Sequence, residues 1–240
     1  MPDSLLDIVA KAHALMDYED EDPFGGYAYL RSRGVTDEQI RTFTLGLGPK
    51  AVSMPPDTDD GARFNKQYRG TLNGNVVLPL YNSSGTLRGI ETRLWEERKY
   101  SQYYLDGWKE DAVFLGLPHA LASIWETGTV FLVEGAFDYF PVQRVFPNTL
   151  CPLTAKLTDT QTRFLHRYAR NVVFLFDRDA KGIGYSTRVM EQYNHTGTDR
   201  FLVHQLAYPA KDPGALYEAW GPDRFSSYLR RQADGLNLYL

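Results

Sequence analysis

The stretch VVFLFDRDAKG, residues 172–182, decides the fold of the C-terminal half of this chain. Its five consecutive apolar residues predict a strand that is buried on both faces, as strands of parallel sheets are. The strand runs directly into Asp177 and Asp179, although carboxylates are costly to remove from water. Two explanations are open: an aspartate that caps the following helix, or a pair of carboxylates that binds a metal ion.

The same strand pattern recurs along the C-terminal half. Apolar runs predict strands over 129–133, around 149–151, over 171–176 and over 200–206. Amphipathic helices are predicted between them, including one over 181–194, and further helices follow Pro213 and Pro222. Apolar strands that alternate with helices predict an α/β fold, with a parallel sheet that is flanked by helices.

The N-terminal half reads differently and predicts a smaller α+β subdomain. Residues 4–16 form an amphipathic pattern, and Thr36 is placed to cap a short helix that follows Gly34. Two strand-like runs flank the turn signal at 82–85 and predict a β-hairpin. The segment 49–62 is rich in Pro, Asp and Gly and predicts an exposed loop.

Composition and charge exclude several classes of protein. One cysteine, Cys151, excludes internal disulfides and a cysteine-cluster zinc site within this chain. The net charge is −4, but residues 63–100 hold seven basic and three acidic side chains, a patch that suits a polyanionic ligand or a solvated surface. The start of the chain lacks a signal-peptide pattern, and no run is long enough to span a bilayer. We therefore expect a soluble cytoplasmic protein.

Five carboxylates are candidates for one site. The carboxyl ends of parallel strands share one edge of a sheet, where binding crevices form. Glu134 follows the first predicted strand, and Asp138 lies four residues later. Asp177 and Asp179 follow a later strand, and Asp212 ends the loop after the next one. Clustered carboxylates repel one another unless a cation neutralises them, and oxygen ligands suit Mg²⁺ or Mn²⁺. The sequence predicts a metal site here, with helix capping as the alternative for each aspartate.

The segments VEGAFD (133–138) and FDRDAKG (176–182) resemble the Toprim signature, in which a glutamate follows one strand and a DxD pair follows a later one. Other segments resemble DnaG-type primases in particular. They are AYLRSRGVTDEQIRTFTLGLGP (28–49), GNVVLPLYNSSGTLRGIETRLW (74–95), Lys99-Tyr100, LTAKLTDTQTRFLHRYA (153–169) and KDPGALYEAWG (211–221). The ordered set covers roughly residues 27–225 and is similar to the primase polymerase core.

The resemblance implies a fold and an activity. It implies a Toprim domain over 126–212, preceded by an α+β subdomain over 1–125 and followed by a helical tail over 213–240. The implied activity is that of a nucleotidyltransferase of DNA replication, which synthesises short RNA primers on single-stranded DNA from ribonucleoside triphosphates.

The resemblance also implies roles for individual residues. Glu134 would act as general base or assist the 3′-hydroxyl, and Asp177 and Asp179 would bind Mg²⁺ or Mn²⁺. Glu134, Asp138 and Asp212 would complete the metal site. Basic residues would contact the nucleotide or the template phosphates; these are Arg93 and Lys99, and more weakly Lys156, Arg63, Lys66 and Arg69.

Several departures from the family pattern are relevant to function. Gly214 stands where primases often carry a second aspartate, and apolar Val113-Phe114 replaces a basic position. One cysteine cannot build the zinc ribbon of full primases, and we expect no helicase-binding domain. We therefore expect a cut-down primase of the phage or plasmid kind, or a catalytic subunit whose zinc-binding or helicase partner is a separate protein; a phage-encoded protein would act in the host cytoplasm.

Two other functions stay open at the level of sequence. A Toprim-type nuclease would use the same carboxylates to cleave nucleic acid without nucleoside triphosphates. A catalytically weak module would bind single-stranded DNA or a replication partner. The primase-like N-terminal half favours the primase.

Overall fold

The computed structural model describes residues 4–17, 25–48, 72, 74–94, 99–105, 107–153, 157–178, 184, 187–188 and 202–236. The chain forms two compact units, Met1–Glu110 and Asp111–Leu240. The loop predicted over 49–62 lies outside the described residues, and so does most of the helix predicted over 181–194.

The first unit packs helices on an antiparallel sheet. Its helices are α1 (Leu5–Ala14), α2 (Gly26–Ser32) and α3 (Asp37–Thr42), and a 3₁₀ turn over Leu15–Asp17 follows α1. Its strands are β1 (Gly46–Leu47), β2 (Val76–Tyr81), β3 (Leu87–Leu94) and β4 (Lys99–Tyr104), in the order β1-β2-β3-β4. The hairpin between β2 and β3 turns over residues 82–85, as the sequence predicts.

The core of this unit lies between α1 and one face of the sheet. Ser4 and Asp7 form a capping box that starts α1. The buried face of α1 packs against Val77, Ile90 and Tyr103. Gly46 is required at the contact, because a Cβ there would lie 2.4 Å from the carbonyl carbon of Ala12.

The second unit is built on a parallel sheet. Its strands are β5 (Thr129–Val133), β6 (Thr149–Leu150), β7 (Asn171–Leu175) and β8 (Leu202–Gln205), in the order β6-β5-β7-β8. All three pairings are parallel. The α/β fold with a parallel sheet, preceded by a smaller α+β unit, is confirmed.

Helices flank this parallel sheet. They are α4 (Leu117–Thr127), α5 (Ala136–Gln143), α6 (Asp159–Tyr168) and α7 (Pro213–Asp234). Gly221, with φ 72° and ψ 173°, breaks α7 just before Pro222, so the two helices predicted there are confirmed. Buried residues of α4, α6, β5 and β7 form one apolar cluster.

The two units do not coincide with the three domains predicted from the sequence. Helix α4 packs in the core of the second unit, which therefore begins before the predicted boundary at residue 126. Helix α7, in the predicted tail over 213–240, packs against α5. As a functional division, 1–125, 126–212 and 213–240 stays a prediction. Among the described residues, no helix combines the length and the apolar character needed to cross a bilayer.

Candidate active site at the carboxyl edge of the parallel sheet

Glu134 and Asp177 follow neighbouring strands of the parallel sheet. Strands β5 and β7 pair in register up to Val133 and Leu175, so the two carboxylates emerge at the same edge. Glu134 is half-buried, and its backbone carbonyl accepts a hydrogen bond from Cys151 Sγ at 3.3 Å. The edge thus holds two carboxylates that lie 43 positions apart in the sequence.

Asp138 joins two helices at this edge. It lies in the first turn of α5, and its Oδ1 accepts a hydrogen bond from the backbone N–H of Gly214 at 2.8 Å. That N–H belongs to the first turn of α7, where an anionic partner is favoured by the helix dipole. In this structure Asp138 therefore anchors the start of α7.

Asp212 caps the same helix. Its Oδ1 accepts a hydrogen bond from the backbone N–H of Ala215 at 2.6 Å, the usual geometry of an aspartate N-cap. The helix-capping alternative is therefore realised for this residue. Its second oxygen, Oδ2, lies 3.9 Å from Lys211 Nζ.

Lys211 is a residue of the site that sequence reasoning missed. Its exposed ammonium lies 3.7 Å from Asp177 Oδ2, and so it stands between the carboxylates of Asp177 and Asp212. Its position directly before Asp212, in the primase-like segment 211–221, was the available signal. Lys211 places a positive charge where the sequence predicts a metal ion.

The pKa of Tyr208 is affected by the negative charges at this edge. Its side chain is buried, and its hydroxyl donates to the carbonyl of Phe176. Burial, together with the negative charges of Asp138, Asp177 and Asp212, raises the pKa of Tyr208 well above its ordinary value. The charges of three predicted carboxylates therefore all raise the pKa of the Tyr208 hydroxyl. These three carboxylates lie in one region of negative potential.

Arg178 has a structural role. Its Nη1 donates to the carbonyl of Tyr208 at 2.5 Å, and its backbone N–H donates to the carbonyl of Lys211 at 2.8 Å. These contacts tie the end of β7 to the loop that carries Lys211 and Asp212. The sequence predicts a structural salt bridge for Arg178, and the partner observed is a backbone oxygen.

Some of the primase-like residues in segment 153–169 have structural roles. Thr158 and Gln161 form a capping box at the start of α6, and Gln161 Nε2 also donates to the carbonyl of Val113 at 2.6 Å. Val113 and Phe114 are buried, with Phe114 in the main apolar cluster. The apolar pair at 113–114 therefore serves the core of the second unit.

Several predicted site residues lie outside the described residues or belong to the first unit. Asp179, Lys156, Arg63, Lys66 and Arg69 lie outside the described residues, and so does the side chain of Lys99. Arg93 lies on β3 of the first unit, opposite Tyr100 of β4. The roles of these residues stay predictions.

The donors at the edge fit a hard divalent cation by their chemistry. Glu134, Asp138, Asp177 and Asp212 offer only carboxylate oxygens, which Mg²⁺ and Mn²⁺ prefer. Among the described residues, which exclude Asp179, no three acidic, histidine or cysteine side chains are grouped closely enough to hold an ion.

Replacing Asp212 separates its capping role from a role in metal binding. We expect Asp212→Ala to lower the free energy of unfolding by about 1 kcal/mol, because the Ala215 N–H loses its acceptor. Asp212→Ser keeps a hydroxyl at the cap and should restore most of that loss. Chemical denaturation measures both, and a serine variant as unstable as the alanine variant would contradict the capping role.

Comparison with known proteins agrees with this geometry. The Toprim-like family matches residues 131–216, which span β5 to the start of α7. The DNA primase of Thermotoga maritima is 25% identical over 224 residues, and that of Aquifex aeolicus is 27% identical over 218. These alignments cover 84% and 82% of this chain but 39% and 41% of the relatives. The chain thus spans about two fifths of the length of these relatives.

Solved structures show the same fold. The zinc-binding and RNA polymerase domains of the Aquifex aeolicus primase match 95% of this chain and 59% of theirs, with a TM-score of 0.71 and 22% identity. A DNA primase domain from Pseudomonas aeruginosa matches 93% of this chain and 76% of its own, with a TM-score of 0.72 and 20% identity. A DnaG primase catalytic domain bound to single-stranded DNA has a TM-score of 0.71 at 18% identity, with 93% and 76% covered.

Proposed function

We propose that this chain is a DnaG-type primase core, and that it synthesises short RNA primers from ribonucleoside triphosphates on single-stranded DNA. One observation carries the proposal. Glu134 and Asp177 follow neighbouring strands of a Toprim-like parallel sheet, at the edge where such sheets bind ligands. The proposal includes the nucleotidyltransferase chemistry of primer synthesis.

The residues at the carboxyl edge of the sheet have different roles in the proposed reaction. Glu134 accepts the proton of the attacking 3′-hydroxyl or orients that hydroxyl, while the Cys151 thiol holds its backbone in place. Asp177 and Asp179 hold Mg²⁺ or Mn²⁺, with Asp138 and Asp212 beside them. The chemistry that the bound cation supplies is charge neutralisation on the triphosphate and alignment for in-line attack at the α-phosphorus.

Basic residues hold the two polyanions. Arg93 and Lys99 contact the nucleotide and the template, and Lys156, Arg63, Lys66 and Arg69 add phosphate contacts that fix position without reading sequence. A separate zinc-binding or helicase protein directs initiation. The proposed template has support in a structural relative, which is described as bound to single-stranded DNA.

A synthesis assay tests the proposed function. The chain is incubated with single-stranded DNA and labelled ribonucleoside triphosphates, with Mg²⁺ or Mn²⁺, and the products are sized. We expect oligoribonucleotides that require both the metal and the nucleotides. Cleavage of the DNA without nucleotides would instead identify a nuclease, and binding without either reaction would identify a recruitment module.

Lys211 is expected to compete with the metal ion. Because its ammonium lies near Asp177 and Asp212, Lys211→Met should tighten Mn²⁺ binding by roughly threefold, a small effect since the pair is exposed to solvent. Titration calorimetry measures this without any turnover. Arg230→Met, which removes an exposed charge late in α7, is the matched control. Unchanged or weaker Mn²⁺ binding by Lys211→Met would contradict this role.

A further inference from the structure

A groove opens at the amino edge of the parallel sheet, opposite the carboxylates. It has a volume of about 880 Å³. The C-terminal ends of α4 and α6 line it, together with the first residues of β7 and β8. The site proposed for synthesis uses none of these residues, so the groove requires its own explanation.

Two exposed apolar side chains line the groove. Trp125 is 65% exposed and Leu202 is 55% exposed, and among the described residues of Asp111–Leu240 they are the exposed large hydrophobic side chains. They come from α4 and β8, which lie far apart in the sequence. Exposed apolar side chains scattered singly need no explanation, whereas two in one groove indicate a contact surface.

The groove also carries a net positive charge. Exposed Arg167 and Arg170 line it, against Glu126; His166 lines it too, but burial lowers the pKa of its imidazole and so favours the neutral form. The Arg167 guanidinium lies over the ring of Tyr168, 5.4 Å from its centroid. Arg167 complements the dipole of α6, but Arg170 follows the helix end. On a chain with a net charge of −4, this concentration of positive charge points to an anionic ligand.

We propose that the groove binds an acidic peptide segment of a separate protein, with one aromatic or aliphatic side chain as its anchor. The anchor packs on Trp125 and Leu202, and carboxylates on either side of it pair with Arg167 and Arg170. A peptide can place its few charges opposite the arginines. A nucleic acid carries a phosphate at every nucleotide, so some would face the carbonyl ends of α4 and α6, and Leu202 offers no stacking surface for a base.

Binding of a defined peptide panel tests the proposal. The panel consists of short fluorescein-labelled peptides of aspartate around one central residue, which is phenylalanine, leucine or serine. Fluorescence anisotropy with the full chain should show binding of the phenylalanine and leucine peptides, and binding of the serine peptide at least tenfold weaker. The double variant Arg167→Glu, Arg170→Glu and the single variant Trp125→Ala should each weaken binding tenfold or more.

A matched variant separates the groove from general charge. Arg163 is an exposed arginine of α6 that does not line the groove, so Arg163→Glu should bind the peptides as the unaltered chain does. The proposal is overturned if no peptide binds, or if the groove variants bind as well as Arg163→Glu. Oligothymidylate that binds with the same dependence would reassign the groove to nucleic acid. Self-association in sedimentation that the double variant abolishes would reassign it to a second copy of the chain.

Discussion

Glu134→Gln is expected to reduce primer synthesis by about 10²–10⁴-fold, the usual contribution of a positioned general base. The amide cannot accept the proton of the 3′-hydroxyl, although it has nearly the same shape as the carboxylate. Asp177→Asn should reduce synthesis by a comparable factor, because it removes the charge that holds the cation. Single-turnover synthesis at saturating nucleotide measures both variants.

A control is needed because both residues follow buried strands. Asp159→Asn makes the same chemical change at an exposed position in the first turn of α6 and should leave synthesis within about twofold of the unaltered chain. Thermal denaturation verifies that all three variants fold. Synthesis by Glu134→Gln within threefold of the unaltered chain would remove this residue from the catalytic site.

The second large effect is on stability and concerns Glu91 of β3. Its side chain is buried, and Gln102 Nε2 donates to Glu91 Oε2 at 2.9 Å. Burial raises the pKa of Glu91 from 4.5 to about 7, against the opposing effects of Gln102 and Arg93. The folded state therefore holds a proton that the unfolded chain releases at lower pH.

The sign of the pH dependence follows from this difference. The stabilisation is fully present below pH 4.5 and is lost as the pH rises through about 7, because ionised Glu91 is disfavoured in its buried site. Glu91→Gln should match the unaltered chain near pH 4 and exceed its stability by about 3 kcal/mol at pH 8. Hydrogen exchange of the β2–β4 amides between pH 4 and 8, corrected for intrinsic rates, reports on this unit.

A second variant tests whether the loss of any carboxylate charge changes the pH dependence of stability. Glu38→Gln makes the same change at an exposed position of α3 in the same unit, and its stability should run parallel to that of the unaltered chain across the range. Equal pH dependence of the unaltered chain and Glu91→Gln would mean that Glu91 does not titrate near neutrality.

The parallel sheet and its carboxyl edge were predictable from sequence. A strand buried on both faces reads as an uninterrupted apolar run, and the run over 129–133 forms β5. The positions of Glu134 and Asp177 then follow from the shared direction of parallel strands. Thr36 and Thr158 likewise fix their helix starts locally, through capping boxes.

Other features depend on tertiary contacts that no local pattern encodes. Asp138 contacts Gly214, a residue 76 positions away, so its structural role could not be read from its own segment. The folded unit buries the ionisable side chain of Glu91 to 6% exposure, although glutamates are rarely buried. The groove joins residues of α4, α6 and β8, and only the assembled sheet brings them together.

Template-directed incorporation tests the central claim most directly. The chain is given single-stranded DNA of one repeated base with four labelled ribonucleoside triphosphates, each supplied in a separate reaction with a divalent cation. If Glu134 and Asp177 belong to a primase site, only the complementary ribonucleotide enters oligomers, and a change of the template base changes which one enters. Incorporation that ignores the template, or DNA cleavage in place of synthesis, would contradict the account.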